Sequence, residues 1–227
     1  MAGGQGVSGA GKSALGWRAP EIEQELPELQ LLTGEAQHTR EQPLTASSPP
    51  DVRQRLAELS DRFRGARAVA IRREPVPAAY RVFFRHIGLE PDTERTPIEA
   101  AVLERMVQGG FPSRGLLEDV LLVALVDTCV PVWALDAESV DGQLGIRASH
   151  EGERLGRSAD AAVLPAGRLV VADASRALAI LFGELAPGHE PHSRTRHLKL
   201  FAVQVAGVPS MVAEEALWSC RTALQPR

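Results

Sequence analysis

The chain has 227 residues, 44% of them hydrophobic, which suits one globular domain with a sizeable core. A formal net charge of −4 argues against a protein that grips nucleic acid chiefly through phosphates, and 4% aromatics argue against a broad base-stacking platform. The two cysteines, Cys129 and Cys220, form no motif and sit in apolar runs, so they read as buried reduced thiols of a cytoplasmic protein.

The N-terminal stretch "GVSGAGKS", Gly6 to Ser13, fits the phosphate-cradling pattern G-x-x-x-x-G-K-[ST]. That loop works only between a buried strand and a helix. Upstream there is only "MAGGQ", and downstream Gly16 and Pro20 interrupt any helix. Residues 1–20 therefore read as a disordered Gly-rich tail, with no ATP and no cofactor expected. Residues 21–50 read as a segment with a short helix or strand and a loop. In it "APEIEQELPELQLL" gives a short helix and then an extended piece, and the breaker-rich "TGEAQHTREQPLTASSPP" (33–50) gives a loop.

Residues 51–227 read as one α+β domain. "DVRQRLAELSDRFRG" puts Val52, Leu56, Leu59 and Phe63 on one helical face, with Asp51 as N-cap and Gly65 as stop. "RAVAI" reads as a short strand. "PAAYRVFFRHIG" clusters Tyr80, Phe83, Phe84 and Ile87 on a helix ended by Gly88. "TPIE" predicts a capping box from Thr96 to Glu99, on a helix that runs to Gly109. "SRGLLEDVLLVALVD", from Ser113, is apolar on nearly all sides and predicts a central buried helix. The apolar run around it is broken by Glu118, Asp119 and Asp127, so no membrane span is expected, nor is a signal peptide. After Val130 come five short β-type runs: "VPVWAL", "QLGIRA", "GRLVVADA", "RALAILFG" and "HLKLFAVQVAGV". "SMVAEEALWSCRTAL" is a closing helix. Helices first and strands later predict α+β layers rather than alternating βαβ units.

Several polar residues invite a chemical reading. Asp119, in a mostly apolar helix, must be paired or face a cleft. Asp136 in "ALDAES" suits a cap on the turn after a strand. Arg147 and Glu153 suit a structural ion pair. "GHEPHSRTRH" gathers His189, His192 and His197 near Glu184 and Glu190, but the spacing is too loose to define a metal site, and none is assigned. Arg194, Arg196 and Lys199 form the local basic spot that could meet an RNA backbone. There is no G-x-S-x-G elbow, and no cysteine has a histidine partner nearby in sequence, so a covalent nucleophile has no support.

The second half resembles the editing and tRNA-binding domain of the phenylalanyl-tRNA synthetase beta chain. "LLEDVLLVALVDTCVPVWALDAESVDGQLGIRASHEGERL" (116–155) is similar to the family run "VD..N.V....G.P.HAFD.....G...VR.A..GE.L". "LPAGRLVVADASRALAILFGE" (164–184) and "TRHLKLFAVQV" (195–205) are similar to "L....LVIAD...PVALAG..GG" and "T..ILLE.A.F". "YRVFFRHIGLEPD" (80–92) resembles a helix of free-standing relatives. Asp119, Asp136, Arg147, Gly152-Glu153, Asp173 and Thr195 keep the family residue. Four pocket positions do not: an asparagine is Leu122, a histidine is Trp133, a glutamate is Phe201, and a double glycine is Gly183-Glu184.

The resemblance implies a three-layer domain, with a mixed β-sheet or sandwich packed against helices. It also implies a pocket whose substrate-binding residues are Tyr80, Asp119, Trp133, Asp136 and Phe201. Thr195, His189 and Glu184 are the catalytic candidates, because an editing hydrolase positions a water and the ribose hydroxyls by hydrogen bonds. The expected function is that of a free-standing tRNA-editing-like domain that hydrolyses mischarged aminoacyl-tRNA. The alternative is a non-catalytic module that binds tRNA or a small amino-acid ligand.

Overall fold

The computed structural model describes residues 13–39, 41–158 and 161–225. Gly6 to Lys12 lie outside that set, and the chain that follows Ser13 is extended rather than helical. Strand β1 (Ala14–Leu15) and strand β2 (Trp17–Arg18) flank Gly16 and are followed by α1 (Pro20–Glu25) and β3 (Gln30–Gln37). A helical stretch comes next: α2 (Pro50–Arg62), α3 (Ala66–Ala70), α4 (Pro75–His86), α5 (Pro97–Gln108) and α6 (Leu116–Thr128). Then come β4 (Val132–Asp136), β5 (Gly145–Ala148), β6 (Leu169–Ala172), β7 (Ala177–Ile180), β8 (His197–Gln204) and α7 (Ser210–Leu224).

The fold is α+β, with two four-stranded sheets among the described residues. The first, ordered β1-β3-β8-β4, is antiparallel throughout. The second, ordered β2-β5-β6-β7, begins with a parallel pair and continues antiparallel. The main core joins both sheets to α4, α6 and α7, while a second cluster lies beneath α2, α3 and α5. Cys129 and Cys220 are free and buried, and burial pushes both thiols up to about 12. No helix among the described residues is long and apolar enough to cross a membrane.

Local signals account for both ends of α5. Thr96 and Glu99 form the reciprocal capping box of α5, and Gly109 ends that helix at φ 79°. Three expectations are corrected. "RAVAI" is helical: Ala68 and Ile71 are buried three residues apart, with Val69 and Ala70 exposed between them, which is the period of a helix. Residues 33–37 are not loop but the second half of β3, because pairing with β8 over eight residues outweighs the local breakers. Residues 13–20 are not tail: they form β1, β2 and the start of α1. The segment 21–50 is therefore built into the domain, with β3 lying inside the first sheet.

The crossing from β1 to β2 is tight. A Cβ on Gly16 would sit 2.5 Å from the Leu144 carbonyl oxygen, and one on Gly145 would sit 2.0 Å from the Trp17 ring and 2.4 Å from its carbonyl oxygen. Trp17 is held there by its indole N–H, which donates to the Gln143 carbonyl at 2.9 Å. Replacing Gly145→Ala is expected to destabilise the protein by about 3 kcal/mol or more, read as a lowered urea midpoint.

Arg147 of β5 and Glu153 close the turn that follows, with Nη1 to Oε2 at 2.7 Å, and Glu153 also accepts from the His150 N–H at 2.9 Å. The Arg147 guanidinium, followed by the His150 amide, holds the Glu153 carboxyl below its ordinary value of 4.5. A carboxyl depressed in the folded state contributes stability above its unfolded pKa and loses it as pH falls through the folded one. Stability should therefore drop as the solution is acidified below about pH 4.5. In Glu153→Gln that part of the pH dependence should be missing from denaturation curves.

Candidate functional site

The central helix α6 sets the geometry. Its first amides would lack partners; instead the Leu116 and Leu117 N–H groups donate to the carbonyls of Ala46 and Leu44. Asp119, fully buried in its first turn, completes this junction. It accepts from the Ser48 and Ser113 hydroxyls, both at 2.5 Å, and from the Arg114 N–H at 2.8 Å. The carboxylate thus fastens two loops to the start of α6, which explains an acid inside an apolar helix.

At the other end Cys129 turns the chain in the left-handed region, at φ 60°, and feeds β4. The register of β4 against β8 sets Trp133 opposite Phe201, and their rings stack at 5.4 Å with an interplanar angle of 9°. Phe182, in the turn after β7, brings the second sheet to the same place. Its ring lies 5.9 Å from Trp133, 5.6 Å from Tyr80 and 5.1 Å from Phe84. Beside Trp133 and Phe182 opens a groove of about 490 Å³, walled by α5 and α6 and floored by Leu122 and Leu125.

The sequence candidates divide into three groups. Trp133 is half-buried and lines the groove. Asp119 lies in its wall, but its oxygens are committed to the loop junction. Phe201 is buried beneath Trp133. Tyr80 is equally buried, donates its hydroxyl to the Val203 carbonyl at 2.7 Å, and has its phenol pushed upward by burial.

Asp136 belongs to a second location. It sits three residues beyond Trp133, and side-chain direction alternates along a strand, so it faces the other side of the sheet. It caps a 3-10 turn by accepting from the Glu138 N–H at 3.1 Å. Its Oδ2 accepts the Thr195 hydroxyl at 2.7 Å and lies 3.3 Å from His192 Nε2. Thr195 in turn accepts from the His192 N–H, so its hydroxyl both donates and accepts. His189 is buried in the same loop, its Nδ1 3.3 Å from the Pro187 carbonyl, and its backbone carbonyl accepts from the Asp136 N–H. Glu184 is exposed in the turn after β7, and among the described residues its side chain bonds neither Thr195 nor His189.

The basic candidates are spread over the surface. Arg194 and Arg196 are exposed in the segment before β8, and the Lys199 ammonium pairs with Glu35, its cross-strand neighbour on β3, at 3.0 Å. The residue that sequence reading missed is Phe182. An aromatic directly before Gly183, at the end of a strand, was the available signal.

No protein-family model matches the chain, and no curated protein matches it in sequence. Removing the Asp119 carboxylate should strand the buried Ser48 hydroxyl and release the part-buried Ser113 hydroxyl and Arg114 amide. Asp119→Ala is expected to cost about 3 kcal/mol in a urea titration, and Asp119→Asn distinctly less, because its amide oxygen still accepts.

Proposed function

We propose that the protein is a free-standing domain of the aminoacyl-tRNA editing type, with the three-layer mixed-sheet architecture of the phenylalanyl-tRNA synthetase beta-chain module. Its groove holds the aminoacyl end of a tRNA. One observation carries this reading. Of the four positions at which the chain departs from the family's pocket residues, Leu122 and Trp133 line the groove. Gly183 directly follows Phe182, which also lines it, and Phe201 stacks beneath Trp133. A resemblance read from order and spacing along the chain did not require these positions to meet in space.

The same geometry favours binding over hydrolysis. The floor offers Leu122, Leu125, Trp133 and Phe182, whose one polar group is an indole N–H, and none of them can act as a base toward a water. Thr195 donates its hydroxyl to Asp136, and both also hold the local turn through the Glu138 and His192 amides. An apolar wall also separates ligands by only about 1–3 kcal/mol for each methylene, so it suits retention of an apolar aminoacyl group more than strict proofreading. Hydrolysis of mischarged tRNA is the second reading. It is favoured by the exposed Glu184, which shares with Phe182 the turn that completes the groove.

The test pairs anisotropy binding with deacylation over a panel of aminoacylated tRNAs. Binding without turnover is expected, with Trp133→Ala weakening it about tenfold, or ~1.4 kcal/mol. Turnover that disappears in Glu184→Gln would install the second reading instead. Neither binding nor turnover would reject both.

A further inference from the structure

The groove beside Trp133 has a polar mouth as well as an apolar floor. Five charged side chains line it, and one of them, Asp119, is committed to the loop junction. Arg114 and Glu104 pair with one another and cancel. Arg95, directly before the cap of α5, and Glu118, in the first turn of α6, are both exposed. Among the described residues neither makes a hydrogen bond or an ion pair. One unspent cation just before α5 and one unspent anion on α6 therefore face solvent at a groove that Trp133 and Phe182 also line. The volume of about 490 Å³ suits a small molecule or the end of a larger one.

We infer that Arg95 and Glu118 read the two charges of the ligand: Glu118 takes an α-ammonium, Arg95 takes a neighbouring anionic group, and the apolar side chain lies on Trp133 and Phe182. The arrangement suits an arginine, whose planar guanidinium can grip a carboxylate or a phosphate through two parallel hydrogen bonds. It also favours ligands that carry both charges, since those gain two contacts where a singly charged ligand gains one. The anion has two sources, the carboxylate of a free apolar amino acid or the phosphate of an aminoacyl-nucleotide. This inference rests on the groove being the ligand site, as proposed above.

Four probes, followed by NMR titration of the full chain, separate the cases: L-phenylalanine, phenethylamine, hydrocinnamate, and a 5′-phosphorylated adenosine carrying phenylalanine in a non-hydrolysable 3′-amide. Glu118→Gln should weaken every probe with an ammonium about tenfold and leave hydrocinnamate unchanged. Arg95→Ala should weaken every probe with an anion by a similar factor and leave phenethylamine unchanged. Tightest binding of L-phenylalanine assigns the carboxylate, and tightest binding of the nucleotide amide assigns the phosphate. If the probes bind and Trp133→Ala weakens them, yet Arg95→Ala and Glu118→Gln change nothing or weaken all four alike, the charge reading is overturned and the groove reading stands. If none of the four binds, the groove reading falls and takes this one with it.

Discussion

Phe182 holds a backbone conformation that side chains avoid, φ +61°, at a cost of about 1–3 kcal/mol. What offsets that cost is the company its ring keeps. Four aromatic side chains surround it: Tyr80, Phe83 and Phe84 from α4, and Trp133 from β4. Each edge or tilted contact adds to the burial of a large ring. The strained turn is therefore the place where the second sheet is fastened to the first and to a helix at once. Trp133 is fixed from below by Phe201 and from the side by Phe182, and the groove takes its shape from that fixation.

Polar residues elsewhere serve the same end by different means. Asp119 sets where α6 begins, and with it the wall of the groove, while Thr195 and Asp136 lock the loop before β8. These hydrogen-bond networks specify geometry. Charged residues such as Asp119 and Asp136 thus serve as scaffolding inside the fold.

Much of the architecture was legible in the sequence because it is written locally. The closing helix occupies the residues its periodicity predicted, 210–224, and the capping box of α5 forms as its four residues require. What was not legible depends on distant partners. Residues 33–37 carry turn chemistry yet form strand, because β8 is waiting for them; "RAVAI" carries β-branched residues yet winds into a helix over Ala68 and Ile71. The site shows the same limit. Periodicity placed Tyr80 on an inward face, but an inward face looks the same in sequence whether it meets a cavity or, as here, a carbonyl of β8. The left-handed turn at Phe182 leaves no sequence mark beyond the glycine after it.

The central pair of the first sheet joins strands as far apart as Glu35 and Lys199, which are 164 positions from each other in the chain. During synthesis β3 precedes β8 and keeps one bare hydrogen-bonding edge until that strand has left the ribosome. Contacts so remote in sequence form slowly, and unpaired edges invite other chains. A nascent polypeptide of this design has reason to depend on a chaperone for the interval between those two strands.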